Sequence, residues 1–303
     1  MSELIAILGG GLMGRGIAQV FACAGHEVRI TDPFAEVRAS LLDRVAADIA
    51  AIGLDAQAAR RIEVVETLQS CVADANFVIE AAPENLELKQ QIFADVETAA
   101  PPTAILASNT SVIPIGRIMA KVLTKSRALG THWWNPPYLV PLVEVIRAAE
   151  TSDAAVGAAL SLLQRVGKSP VEVKKDTPGF VGNRLQHALW REAIALIEEG
   201  VCEPETVDAV IKASFGARLA ALGPIENADL IGIELTRSIH QYVLPALSRA
   251  QTPSPLLDKL IAEGRLGFKS GRGFLEWPLE AQTALRTKVT RQLKASFGSA
   301  REE

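Results

Sequence analysis

Apolar positions along this 303-residue chain change their period. Short apolar runs at Leu4–Leu8, Val28–Thr31, Phe77–Glu80, Ala104–Ala107, Arg127–Thr131, Leu142–Ile146 and Val171–Lys174 predict strands, and segments of helical spacing lie between them. This alternation predicts an α/β fold with a doubly wound, mostly parallel sheet. Between Phe34 and Arg61 the helical spacing of Val37, Leu41, Val45, Ile49 and Ile52 is broken by Gly53, which predicts a helical hairpin (about residues 34–61) inserted before the third of these strands. After Asp176-Thr177-Pro178-Gly179 the strand pattern ends. Val181, Leu185, Ala188, Leu189 and Leu196 then mark one face of a long helix closed by Gly200. Further helices are predicted at Pro204–Ser214, Glu226–Ser248, Pro255–Glu263 and Leu279–Ser296. A boundary near Thr177 divides the chain into an α/β domain, residues 1–177, and an all-helical domain, residues 178–303.

The first turn carries the strongest chemical signal. Gly9, Gly11 and Gly14 follow the first apolar run and open a helical pattern, with Leu12 and Met13 between them. The spacing is Gly-x-Gly-x-x-Gly: a tight turn, a close backbone approach to a pyrophosphate, and close helix–sheet packing. A diphosphate there would meet the unpaired N–H groups and positive end of the helix. Asp32 closes the second apolar run, eighteen residues after Gly14. Its carboxylate suits ribose hydroxyls and repels the 2′-phosphate of NADP, so the unit reads as a Rossmann-type NAD site. Glycines alone would fit a turn that binds nothing; the strand, helix and Asp32 around them favour the cofactor.

Composition narrows the class. Hydrophobic residues make up 49% of the chain, enough for a substantial core. A formal net charge of −4, from 31 basic and 35 acidic residues without long runs of either sign, favours neither nucleic acid nor an anionic membrane as partner. Cys23, Cys71 and Cys202 are widely separated within apolar segments, which reads as buried thiols, not a disulfide framework or metal site. No apolar stretch reaches the ~18 residues of a membrane span and no basic leader precedes the first strand, so the expectation is a cytoplasmic protein.

Three polar patches fall where strands end or helices begin, the ligand-binding edge of open α/β sheets: Ser108–Ser111, His132–Pro137 and Pro178–Arg184. With the glycine turn, Ala81–Asn85, Leu142–Val145 and Gly271-x-Gly273-Phe274, they make the chain resemble the L-3-hydroxyacyl-CoA dehydrogenase family from about Leu4 to Phe274. The resemblance implies that His132 is a general base taking a 3-hydroxyl proton while hydride passes to NAD, and that Glu144 is its partner carboxylate. Histidine suits this because its ordinary pKa, about 6.5, lets it accept and return a proton near neutrality. Ser111 and Asn183 match residues around the reacting oxygen and the nicotinamide. Glu84, Lys89, Asn135 and Lys269 match further NAD contacts, although exposed Glu and Lys are more often ordinary surface. His26, His187 and His240 read as structural. Trp133 and Trp134 fit a site wall and plain packing equally. A homodimer through the helical domain is also implied.

Two features set the substrate apart. CoA-using members hold the CoA phosphates with a serine and lysines in the insertion, where this chain carries Asp48 and Asp55; carboxylates there would repel a polyanion. Arg44, Arg60 and Arg61 offer compensating charge, or simply a solvated face. The run His132-Trp133-Trp134-Asn135-Pro136-Pro137-Tyr138 resembles branches acting on free hydroxy acids, of L-gulonate, L-carnitine and pyridine-alcohol type. The expectation is an NAD-dependent dehydrogenase of a short 3-hydroxyacyl substrate, with the handle open between a 3-hydroxybutyryl-CoA-like thioester and a free acid. A non-catalytic, crystallin-like NAD-binding protein is the alternative from another class. It has no physical need for His132, Glu144, Ser111 and Asn183 together.

Overall fold

The alternating apolar pattern is laid out as a sheet with helices on both faces; a computed structural model describes residues 2–297. In chain order the first part runs β1 (Leu4–Leu8), α1 (Leu12–Cys23), β2 (Glu27–Thr31), α2 (Ala35–Ala51), β3 (Ile62–Val64), α3 (Leu68–Val72), β4 (Phe77–Glu80) and α4 (Leu86–Ala99). It continues through β5 (Ile105–Ser108), α5 (Ile115–Ile118), β6 (Ala128–Trp133), β7 (Leu142–Ile146), α6 (Asp153–Arg165) and β8 (Ser169–Val173). Strand order is β3-β2-β1-β4-β5-β6-β7-β8, and every neighbouring pair is parallel except β6 and β7. Alternate residues of β1 feed two cores. Ile5 and Ile7 join Ile17, Phe21, Val28 and Ile30 on one face, and Ala6 and Leu8 join Val78, Phe93 and Leu106 on the other. Burial on both faces explains why the central strands read as continuous apolar runs.

Two sequence expectations are corrected here. The insertion is not a helical hairpin: after α2 comes only a 3₁₀ turn, Ala56–Arg61, capped by the Asp55 carboxylate, which accepts from the Gln57 N–H at 2.9 Å. The chain then pairs as β3, a three-residue strand too short for its period to register.

The following helices are α7 (Gly182–Glu198), α8 (Pro204–Ala213), α9 (Pro224–Ile231), α10 (Ile233–Val243), α11 (Pro255–Ala262) and α12 (Leu279–Phe297). Where one helix was expected over Glu226–Ser248, Gly232 at φ 97° separates α9 from α10. The segment is also not wholly helical, since Gly267, Arg272 and Glu276 form a small β-bridged turn. The described residues form two compact units, 2–184 together with 291–297, and Leu185–Thr290. Among the described residues no helix is long and apolar enough to cross a membrane.

Candidate active site

The glycine turn is shaped by contacts that leave no room for side chains on two sides and open space on the third. Gly9 takes φ 115° and lies against Ala81, where a Cβ would stand 2.7 Å from the carbonyl oxygen. A Cβ at Gly14 would stand 1.8 Å from the Gly9 carbonyl oxygen, whereas one at Gly11 would meet nothing within 4 Å. Gly11 is also the N-cap of α1 and offers no side-chain cap, so the first N–H groups of the helix face that opening. At the end of β2 the Asp32 carboxylate accepts from the Gly10 N–H at 2.8 Å and the Phe34 N–H at 3.0 Å. An uncapped helix start, a cradle that a Cβ would fill and a fixed carboxylate beside it fit a dinucleotide.

The strand ends next to the turn are joined by a buried polar network that the sequence did not disclose. Glu80, fully buried at the end of β4, accepts from Ser108 Oγ at 2.6 Å, from the Ala82 N–H at 2.7 Å and from Lys89 Nζ at 2.6 Å. Lys89 is 1% exposed, with Glu84 3.7 Å away. Glu84 in turn accepts from the Thr110 hydroxyl and from the Ser111 and Val112 N–H groups, both at 3.3 Å. The two expected cofactor contacts are thus engaged with the protein, bracing the loop after β5. A charge ending an apolar run was the available signal; it reads as surface until the burial is known.

Antiparallel pairing makes the central dyad. In the β6–β7 register His132 lies directly opposite Glu144, which places the two side chains on one face of the sheet. His132 Nδ1 is 2.8 Å from Glu144 Oε2, with both residues buried. The other carboxylate oxygen accepts from the Val181 and Gly182 N–H groups at 2.9 and 3.1 Å. Burial pushes the Glu144 carboxyl up, but the bonds from His132, Gly182 and Val181 outweigh it and hold the group below its ordinary value. A carboxylate accepting at Nδ1 fixes the tautomer with a basic Nε2.

Around the dyad, the rings of Trp134 and Phe180 lie 5.3 and 5.6 Å from the imidazole, centroid to centroid. Trp134 therefore walls the site, while Trp133 packs into the core against Phe21. Ser111 and Asn183 are brought together, Asn183 Nδ2 donating to the Ser111 carbonyl at 2.9 Å. Asp176, read in the sequence only as part of the break between the domains, accepts from the Ile115 and Gly116 N–H groups at 2.8 and 2.7 Å and ties the start of α5 to the segment after β8. Asn135 is exposed beside the dyad strand, preceding a cis bond to Pro136. Lys269 belongs to the second unit, where it lines a cleft of 1090 Å³ with Trp190, Ile194, Leu257 and Trp277. That cleft is mostly apolar and holds none of the dyad.

The remaining candidates take structural parts. Asp48 pairs with Arg15 at 2.8 Å. The three cysteines form no disulfide, and burial pushes the Cys71 thiol up to about 12. His26 accepts from the Glu3 N–H through Nδ1 at 3.2 Å.

Comparison with known proteins agrees with this geometry. Residues 4–177 match the family model described as 3-hydroxyacyl-CoA dehydrogenase, NAD binding domain, and residues 179–277 match its C-terminal domain. The chain belongs to the 3-hydroxyacyl-CoA dehydrogenase family, and its first domain is an NAD-binding domain. It is 34% identical over 300 residues to a 5-formyl-3-hydroxy-2-methylpyridine 4-carboxylate 5-dehydrogenase of Mesorhizobium japonicum, covering 97% of each chain. It is 36% identical to a 3-hydroxybutyryl-CoA dehydrogenase of Bradyrhizobium diazoefficiens, over 90% of this chain and 94% of that one. A solved structure of a dehydrogenase of the same pyridine acid, described as an NAD⁺-dependent dismutase, superposes with a TM-score of 0.88 at 32% identity and 97% coverage of both chains.

Proposed function

We propose that this NAD-dependent oxidoreductase interconverts a 3-hydroxyl and a 3-keto group on a short acid, with His132 as the base. The observation that carries the reading is the buried 2.8 Å contact between His132 Nδ1 and Glu144 Oε2, braced by two backbone donors. His132 Nε2 takes the hydroxyl proton, and Glu144 stabilises the imidazolium that forms. NAD, when bound, supplies the hydride acceptor. Gly9, Gly11, Leu12, Met13 and Gly14 would cradle its diphosphate and Asp32 its ribose, with Glu84 and Asn135 as further contacts, while Lys89 would act from beneath by bracing Glu84 and the loop after β5. Ser111 and Asn183 orient the reacting oxygen, and the bond between them supports a joint role.

For the handle we favour a free carboxylate over CoA. Carboxylates stand at both 48 and 55, and the full-length similarity to a pyridine-carboxylate dehydrogenase points the same way. The thioester reading has two observations in its favour: Arg15 offsets the charge of Asp48, and the chain is 36% identical to a 3-hydroxybutyryl-CoA dehydrogenase over 90% of its length. Initial rates with NAD decide between them, using 3-hydroxybutyrate, L-gulonate, L-carnitine, a hydroxymethylpyridine carboxylate and 3-hydroxybutyryl-CoA. The expected result is a higher kcat/KM for a free acid; a thioester KM far below those of all the acids, at ordinary dehydrogenase efficiency, reverses the choice.

The same reading includes a cytoplasmic setting, supported by the absence of disulfides among the three cysteines. It also includes a two-fold homodimer through the helical domain. Within Leu185–Thr290 Leu260 is the one buried apolar side chain, while Ile225, Leu230 and Tyr242 are 75%, 71% and 84% exposed. Such a surface calls for a partner.

A further inference from the structure

Phe180 is the only described residue other than glycine with a positive φ, 50°, and it directly follows Gly179 at φ 74°. A side-chain-bearing residue persists in this region only where its surroundings over-determine it, and such residues cluster at functional sites. The surroundings here are explicit. The Phe180 N–H donates to the Thr177 carbonyl at 3.0 Å, and the Gly179 carbonyl accepts from the Arg184 N–H at 3.1 Å. The Gly179 N–H reaches the Val112 carbonyl at 3.3 Å, and the Phe180 ring is fully buried. Trp134 closes the end of the turn, since a Cβ on Gly182 would stand 2.4 Å from its ring.

Consecutive N–H groups turned toward one point make a concave anion seat. Here the groups are those of Val181 and Gly182, and the anion is a side chain of the protein, Glu144. Resting on the reading of His132 as the base, we infer that Phe180 is a positioning residue: its left-handed backbone, locked by the buried ring, aims two N–H groups at Glu144 and so fixes the carboxylate that orients His132. Among the described residues His132 is the only ionisable side chain hydrogen-bonded to Glu144, and neutral rings cover the imidazole.

Backbone and ring are separated by a pair of variants. Phe180→Gly keeps the left-handed turn accessible but loses the ring, whereas Phe180→Val keeps an apolar side chain that resists a positive φ. Each is followed by kcat/KM against pH and by a ¹³C titration of the Glu144 carboxyl, assigned by its loss in Glu144→Gln. In Phe180→Val we expect kcat at least about tenfold lower, a Glu144 carboxyl titrating at higher pH, and an acid limb about one pH unit lower, because the imidazolium loses a well-placed anion. Phe180→Gly, which loses the locking ring but tolerates the positive φ, should lower kcat and move the limb in the same direction by clearly less than Phe180→Val does. Gly179→Ala guards against misfolding of the valine variant. A Cβ there has room, its nearest neighbour at 3.5 Å, so the left-handed strain alone should move the carboxyl titration the same way. The inference is overturned if the titration stays put in the valine and alanine variants, or if glycine and valine at 180 act alike. A carboxyl that shifts while the kinetics do not, or a Glu144→Gln enzyme with an unchanged pH profile, refutes the dyad reading and leaves the seat standing.

Discussion

Glu144 lies where burial favours a neutral acid, and three donors reverse that preference. A carboxyl held below its ordinary value adds stability above the unfolded-state value, about 4.3, and that stability is lost as pH falls through the lower folded value. Glu144→Gln should therefore lower Tm at pH 7 by a few degrees, about 2 to 4 °C. The gap to the unaltered protein should close as the pH drops below about 4, followed by calorimetry. A gap independent of pH would show that the side chain acts by shape alone. His132→Ala should lower kcat by on the order of a hundredfold while leaving the NAD Kd within about twofold, since the histidine touches the reaction and not the diphosphate cradle. Near-normal turnover of the true substrate by this variant would remove His132 from the mechanism.

At the scale of elements, the β1–turn–α1 unit separates folding from binding within six residues. Gly14→Ala drives a methyl into the Gly9 carbonyl and should cost at least about 2 kcal/mol of stability. Gly11→Ala enters open space, so Tm should hold within about a degree while NAD affinity drops at least about tenfold. Equal effects of the two changes on Tm would mean that the turn is differently built. This unit was legible in the sequence because strand, glycines, helix and Asp32 are consecutive and each is read by its own period. What lay across the sheet was not. A buried antiparallel strand and a buried parallel one give the same apolar run, so β7 was found without its direction, and its direction is what sets Glu144 opposite His132. Resemblance supplied the pair before register explained it. Glu80, Thr110 and Asp176 were named only as a strand end, part of a polar patch and a domain break; their roles were hidden because a charged or hydroxyl residue at a strand end looks like surface until its long-range partners are known. Likewise the Pro178–Arg184 patch was noticed, yet no periodicity betrays a left-handed phenylalanine.

For the whole molecule, the first unit carries two cores and the second is left with apolar helices facing outward. In α9 and α10, Leu230 and Ile233 are 71% and 60% exposed on either side of Gly232, together with Ile225, Ile239 and Tyr242. Side chains this exposed gain little from folding alone and about 1.5 to 3 kcal/mol each when a second surface covers them. Several such side chains on two consecutive helices call for a covering surface, which is the physical ground for expecting two copies to meet there. Light scattering at micromolar concentration should give twice the chain mass. Replacing both Leu230 and Ile233 by Asp should yield a monomer with a lower Tm, because charges in a dry interface lack partners. A wild-type chain that scatters as a monomer and keeps a single sharp transition on dilution would show instead that Leu185–Thr290 is stable without a partner, and that its apolar helices have another occupant.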